Sequence, residues 1–463
     1  MRTVQLRNRA IQQDPAASAR EDCYFPAPDE VLSKVRPRSR HCLWTISTTR
    51  IRECTRGGQY SKARWWATLS AALEGVRVIE CGEMVSAAYA AKIFAHMGAD
   101  VIKVEEPGGD RARRRGPFPG GIPDPERSGL FLYLNQHKRS VVLDLLEAAG
   151  QAALMDLAAG ADVLIHNFSP TQARARALDI EQLRARRPAL IVTSITRFGL
   201  TGPHSEYNAH EITSANAGGW AFISPGALED RDLPPLKAFG QQCDFQAGIN
   251  AANATLGALI ARLTSGLGEH IDVSVQECVA ANLEMNFMHW TYASRVASRL
   301  GRRALGPWGM LRCRDGLLFV VCVEEAQWGR LVELLGGPEW AAWEVFSDRL
   351  LRAENYDVLS PLLEESFGGW TVEEAYQLLQ ARRVPCAPVA GMDALLNSDH
   401  LQARDFFVDV DHPVAGRLTY PGAPFKHSRT PWQTRVPAPT LGQHTREVLD
   451  QRTGAAIGVG VSE

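Results

Sequence analysis

No Cys-x-x-Cys pair occurs among the nine cysteines, and no run of 18 apolar residues interrupts the 463-residue chain. The first absence removes the commonest zinc and redox spacings, and scattered thiols without it point to a reduced, cytoplasmic protein. The second leaves nothing to span a bilayer. An excess of charge is missing too: 50 Lys and Arg face 52 Asp and Glu, a net −2, so no global field draws nucleic acid or an acidic membrane. What is present is ordinary globular composition, 45% hydrophobic and 22% charged. A chain of this length is expected to form about two to four domains and to bury a core without disulfides or structural metal.

Several catalytic signatures are absent as well. There is no G-x-x-x-x-G-K-[ST] loop for a nucleotide phosphate and no G-x-S-x-G elbow for a hydrolase serine. His210-Glu211 opens like H-E-x-x-H, but Ser214 stands where the second zinc ligand belongs.

Charge is unevenly placed. Residues 1–72 hold 13 Lys and Arg against 6 Asp and Glu, leaving 37 against 46 in the rest. The stretch breaks at Pro15, Pro26, Pro28 and Pro37 and offers no apolar signal region. It is expected to be a disordered basic extension without a chemical role. Its acidic residues argue against an organelle-targeting segment.

From residue 73 the pattern changes. Val76–Cys81 reads as a strand, Ser86–Met97 as an Ala-rich helix stopped by Gly98, and Asp100–Glu105 as a second strand. This β–α–β unit has the size of a right-handed parallel crossover. After a Pro/Gly/Arg-rich loop (107–127) the alternation resumes: strand Ser140–Leu145, helix Ala148–Ala159, strand Asp162–His166, helix Ile180–Arg187 and strand Leu190–Thr196. Such alternation predicts an α/β fold with a parallel sheet covered on both faces. The first βα turn, Cys81-Gly82-Glu83-Met84-Val85-Ser86, lacks the G-x-G-x-x-G that lets backbone approach a pyrophosphate, so the chemistry of this Rossmann-like sheet is not that of the usual dinucleotide enzyme.

A series of blocks then carries a resemblance. Leu73–Glu80, Gly98–Glu105, Tyr133–Ser140, Asn167–Pro170, Ile195–Gly199, Asp244–Gly248, Gly268–Ser274, Val384–Val389, Gly422–Phe425 and Leu441–Thr445 follow one another as in family III CoA-transferases of the CaiB/BaiF type, which this chain resembles over about 73–450. The resemblance implies a large Rossmann-like CoA-binding domain (73–289), an inserted small α+β domain (290–395), a C-terminal return to the large domain (396–450) and a tail (451–463). It also implies a homodimer of interlocked rings. No permanently bound cofactor or metal is implied, only a coenzyme A thioester and a carboxylic acid as substrates.

The resemblance places the catalytic aspartate at Asp244. From the residues alone, a carboxylate just before an apolar helix (Ala251 to Leu263) is a helix cap, stabilised by the dipole and by free N–H groups that also suit an oxyanion. In the transferase chemistry the resemblance implies, Asp244 attacks an acyl-CoA and passes through an anhydride and an aspartyl-CoA thioester. His210-Glu211 keeps another function open. α-Methylacyl-CoA racemases show a histidine followed by an acid here, so His210 with Asp244 would form a two-base pair for an α-proton; otherwise His210 is a pocket or core histidine. Glu211 is a second acid of a transferase site or a residue that orients its neighbours. The long Arg115–Arg139 segment and Gly240-Gln241-Gln242 resemble transferases.

The resemblance also suggests CoA contacts. Asn167-Phe168 matches the family's turn after a strand, with Thr171 replacing its glycine and Ala175 its arginine, so Arg174 or Arg176 would supply the charge. Lys138-Arg139 would face the 3′-phosphate or diphosphate, whose oxygens suit an arginine fork. Val85, Ser86 and Ala87 would lie against bound CoA. Glu106 stands where some members carry an arginine for the adenine end. Cys243 reads as a space-filler, and Trp308 and Trp328 as core of the small domain. Apolar residues at Trp220, Phe222 and Met285–Trp290 suit a bulky acyl group. Three functions stay open at this point: a CoA-transferase, a 2-methylacyl-CoA epimerase, and a non-catalytic CoA-thioester-binding subunit.

Overall fold

Six strands built from near-continuous apolar runs form one parallel sheet: β1 (Arg77–Glu80), β2 (Asp100–Glu105), β3 (Lys138–Val142), β4 (Val163–His166), β5 (Ile191–Thr196) and β6 (His270–Ser274). Their spatial order is β3-β2-β1-β4-β5-β6, the doubly wound order of two mononucleotide-binding halves. The computed structural model describes residues 71–226, 232–299, 305–433 and 436–450, all within the compact unit Trp66–Glu463. Nearly all of the basic extension expected over 1–72, and the whole tail at 451–463, lie outside the described residues.

Every residue of β4 and β5 is buried, because helices cover both faces. On one face lie α1 (Ser86–His96) and a long helix, Gln242–Ser265, packed over Val78, Val163, Ile165 and Ile191. Small residues let the two helices meet closely: Ala87, Ala90 and Ala91 are inaccessible, and a Cβ at Gly248 would lie 2.8 Å from the Ser86 carbonyl. Phe94 anchors α1 in this cluster, a burial worth about 1.5–3 kcal/mol. Gly98, at φ +96°, ends the excursion and turns the chain into β2. On the other face, helices Ala148–Ala159 and Ile180–Arg186 cover Ile79, Ile102, Leu164 and Val192 with Leu154 and Leu183.

Residues 439–445 return to the outer edge of β3. The Gly442 amide donates to Ser140 Oγ, the His444 amide to the Ser140 carbonyl, and the Val142 amide to Thr445 Oγ1. This segment covers an edge that would otherwise be open to pairing. A separate three-stranded antiparallel sheet, β7 (Trp308–Arg312), β8 (Leu317–Val321) and β9 (Cys386–Pro388), has its own core of Leu318, Val320, Leu331, Phe346, Leu359, Leu363 and Phe367. A hairpin, β10 (Phe407–His412) with β11 (Gly416–Pro421), follows. Among the described residues no helix is long and apolar enough to cross a membrane.

Three expectations need correction. β3 begins at Lys138, two residues early, because Lys138 and Arg139 are tied into the sheet by ion pairs to Glu80 and Asp100. The helix expected from Ala251 starts at Gln242, so Asp244 is inside its first turn. Trp328 belongs to the small core, but Trp308 is on the outward face of β7 and 44% exposed.

Candidate active site

The sheet reverses direction of build-up between β1 and β4, and ligands of such sheets bind beyond the carboxyl ends of the strands at that point. The chain after β1 makes the turn 81–85 into α1, with Met84 at φ +62°. Asn167, directly after β4, holds this turn across the gap. Its Oδ1 accepts from the Glu83 amide, and its Nδ2 donates to the Glu83 carbonyl and to Ser86 Oγ. Only glycine fits at 82, where a Cβ would come within 2.5 Å of Ala87 Cβ and 2.7 Å of Asn167 Oδ1. Asn167 and Ser86 are thus brought together, while the side chains of Val85 and Ala87 are inaccessible and point into the core.

Phe168 is buried beneath the Arg176 guanidinium, 4.6 Å from the ring centre, and Arg176 pairs with Glu106 at 2.6 Å. The acid at position 106 and the arginine at 176 therefore form one neutral pair. Arg174 lies farther out, held by Glu206 at 2.7 Å and bonded to Thr171 Oγ1. Lys138 and Arg139 are placed differently from the phosphate role expected of them. The Lys138 ammonium is buried and donates to Glu80, the Ala88 carbonyl and Asn135; Arg139 pairs with Asp100 and Glu447. Both are engaged by partners within the chain.

The second half of the site joins α2 (Glu211–Ala217) to α3, the Gln242–Ser265 helix. Asp244 is buried in the first turn of α3, and both of its oxygens are held by Arg197: Nη1 donates to Oδ1 at 2.6 Å and Nη2 to Oδ2 at 3.2 Å. The backbone amides at the helix start are not free, contrary to expectation. Glu211 accepts from the Cys243 amide at 2.8 Å and from the Asp244 amide at 3.3 Å, an acid completing a helix N-terminus from outside. Those amides are therefore not open to an oxyanion. Phe245 links the halves, packing edge-on to Tyr89 of α1 at 4.7 Å and joining the cluster around Val85.

Burial raises the Asp244 carboxyl above the ordinary aspartate range; Arg197 pulls it down, and the Glu211 charge adds to the rise. Folding thus disfavours the ionised form, so this residue's contribution to stability is present at low pH and lost as pH rises through the folded value. Arg197→Gln removes the lowering influence. The infrared carboxyl titration of Asp244, taken as a difference against Asp244→Asn, should move to still higher pH in that variant; a downward move would contradict this balance. Burial also pushes the Cys243 thiol up to about 12, which keeps it protonated and unreactive.

His210 stands apart. It precedes α2 as an exposed residue whose side chain makes no capping bond, and among the described residues no hydrogen bond joins it to Asp244. Arg197, by contrast, escapes sequence reasoning, although it lies inside the block Ile195–Gly199. Its one signal is position: it directly follows the last residue of β5, at the carboxyl edge where parallel sheets place their chemistry.

A model described as CoA-transferase family III matches residues 73–445. The chain is 31% identical over 385 residues to a succinate–glutarate CoA-transferase of Agrobacterium fabrum, covering 81% of this chain and 94% of that protein. It is 30% identical over 372 residues to the BbsE subunit of a succinyl-CoA:(R)-benzylsuccinate CoA-transferase of Thauera aromatica, covering 78% and 90%. A solved structure of a CaiB/BaiF family protein from Brucella suis superposes with a TM-score of 0.75 at 28% identity, covering 82% of this chain and 99% of that one.

Proposed function

The chain belongs to CoA-transferase family III, and from that premise we propose that it moves CoA from an acyl-CoA to a free carboxylic acid through covalent intermediates on Asp244. It is an enzyme of the CoA-transferase class. The observation that supports the mechanism is the buried Asp244 carboxylate, fixed by one guanidinium at the mouth of α3.

An Asp244 oxygen attacks the thioester carbonyl; the C–S bond breaks, and CoA leaves as thiolate from an aspartyl–acyl anhydride. The thiolate attacks the Asp244 carbonyl carbon, releasing the donor acid and leaving an aspartyl-CoA thioester. The incoming carboxylate attacks that carbon and expels the thiolate, giving a second anhydride. Return of the thiolate to the acceptor's acyl carbon releases the new acyl-CoA and restores the carboxylate. No proton need be gained or lost in the cycle, which suits a site whose acid is held by a permanently charged arginine.

The turn 82–86, stapled by Asn167, is where the pantetheine would pass, and the Arg176 guanidinium, stacked on Phe168 and neutralised by Glu106, would lend its outer face to the adenine end. The names of the relatives support small dicarboxylic acids, succinate and glutarate among them, as acids to try first. An interlocked homodimer is part of the same reading. Support comes from the helix Glu284–Ala293, where Met285, Phe287, Met288, Trp290 and Tyr292 are all exposed in the single chain; a sedimentation mass of one chain would contradict it.

The test runs succinyl-CoA with and without glutarate in deuterated water. Transfer predicts glutaryl-CoA only when glutarate is present, with no deuterium at the α-carbon. Deuterium entering the acyl-CoA without any acceptor would instead support the epimerase.

A further inference from the structure

We infer that Arg197 is the acceptor's binding residue, and that it becomes one only after Asp244 has lost its charge. The inference rests on the Asp244 thioester proposed above. In the resting chain the guanidinium uses two of its N–H groups on the two carboxylate oxygens. Forming the thioester replaces an oxygen anion by neutral sulfur and leaves that fork facing no anion. Among the described residues, the other carboxylate acting on Asp244, Glu211, is engaged by the Cys243 and Asp244 amides and so does not replace the lost charge.

An incoming carboxylate matches the vacated fork in charge and in two-oxygen geometry. Access is suitable as well. The Arg197 side chain is 29% exposed and that of Asp244 is 3% exposed, so a ligand from solvent can reach the guanidinium beside the reacting carbon. The site's charge then stays balanced through the cycle. Resting, the arginine holds Asp244; charged with CoA, it holds the acceptor; and the acceptor's carboxylate lies next to the carbon it must attack. Selectivity for acids over neutral nucleophiles follows from the same charge.

The experiment isolates the second half of the reaction. Enzyme is loaded with succinyl-CoA, freed of succinate, and the aspartyl-CoA adduct is followed by intact mass as it is discharged by glutarate or by neutral hydroxylamine. Arg197→Gln is expected to form the adduct more slowly, since its Asp244 carboxyl ionises at higher pH, and, once loaded, to lose it to hydroxylamine at the parent rate. Its discharge by glutarate should be about 100-fold slower, with partial rescue in Arg197→Lys. Equal rates with glutarate for parent and Arg197→Gln would overturn the inference, as would a folded Arg197→Gln that never forms the adduct. An adduct missing from the parent enzyme would overturn the Asp244 reading itself.

A binding measurement covers the case in which Arg197→Gln does not fold. Asp244→Asn imitates the uncharged intermediate, so succinate should bind it calorimetrically, more tightly than it binds the parent, whose fork is occupied. It should bind the double variant Asp244→Asn, Arg197→Gln at least tenfold more weakly. No difference between Asp244→Asn and the double variant overturns the inference.

Discussion

Asp244→Asn is expected to fold and to transfer CoA about 10⁴-fold more slowly than the parent, because an amide of the same shape cannot form the anhydride on which every later step depends. Loss of this size is characteristic of a residue that makes and breaks bonds. Folding should survive, since Asp244 is held by one side chain and by its helix, and the Asn substitution removes a charge that burial disfavours. Steady-state formation of glutaryl-CoA, with circular dichroism as the folding control, checks both halves. Residual transfer within tenfold of the parent would remove Asp244 from the chemistry.

Lys103→Met carries the largest expected loss of stability, about 3–5 kcal/mol, because it strands the buried Asp110 carboxylate and takes from Glu80 one of its two ammonium partners. Lys103 is inaccessible, with its ammonium 2.7 Å from Glu80, 2.8 Å from Asp110 and 3.1 Å from the Gly82 carbonyl. Burial opposes its charge, but Asp110, Glu80 and Glu105 more than offset that and hold it protonated. Burial likewise raises Glu80, and Lys103 with Lys138 brings it below the ordinary glutamate range. Asp110 in turn accepts from the Met84 amide, so this one lysine supports both ends of the turn 82–84. Urea midpoints should fall accordingly, and binding of acyl-CoA should weaken with them. Adding Asp110→Asn to Lys103→Met should recover part of the loss, since the stranded charge is then gone while the oxygen that accepts from the Met84 amide is kept. A Lys103→Met protein as stable as the parent would show that the network contributes nothing.

The sheet was largely legible because periodicity reports burial. Asp100–Glu105 and Ala148–Ala159 stand where the pattern puts them, and the start of α1 at Ser86 coincides with the start of its alanine run. Charged residues are hard to read where their partners are distant in sequence. Lys138-Arg139 reads as a solvated or phosphate-facing pair, yet their partners Glu80, Asp100 and Glu447 are distant in sequence, and no local pattern encodes a three-dimensional ion network. Arg197 was missed for the same reason, since its partner lies 47 residues away. The start of α3 was misplaced because Gln242-Cys243-Asp244 is a weak helix opening by itself; Glu211, from another helix, supplies the missing acceptors. Asn167 was found through its motif, but its work is to hold the turn of β1, which only the topology explains.

The central claim is that Asp244 carries the CoA. Its most direct test incubates the protein with succinyl-CoA in the absence of acceptor, quenches with hydroxylamine, and maps the modified peptide by mass spectrometry. A hydroxamate at Asp244, dependent on succinyl-CoA and missing in Asp244→Asn, is the predicted result. A modification at another residue, or transfer to glutarate without any adduct at Asp244, would contradict it.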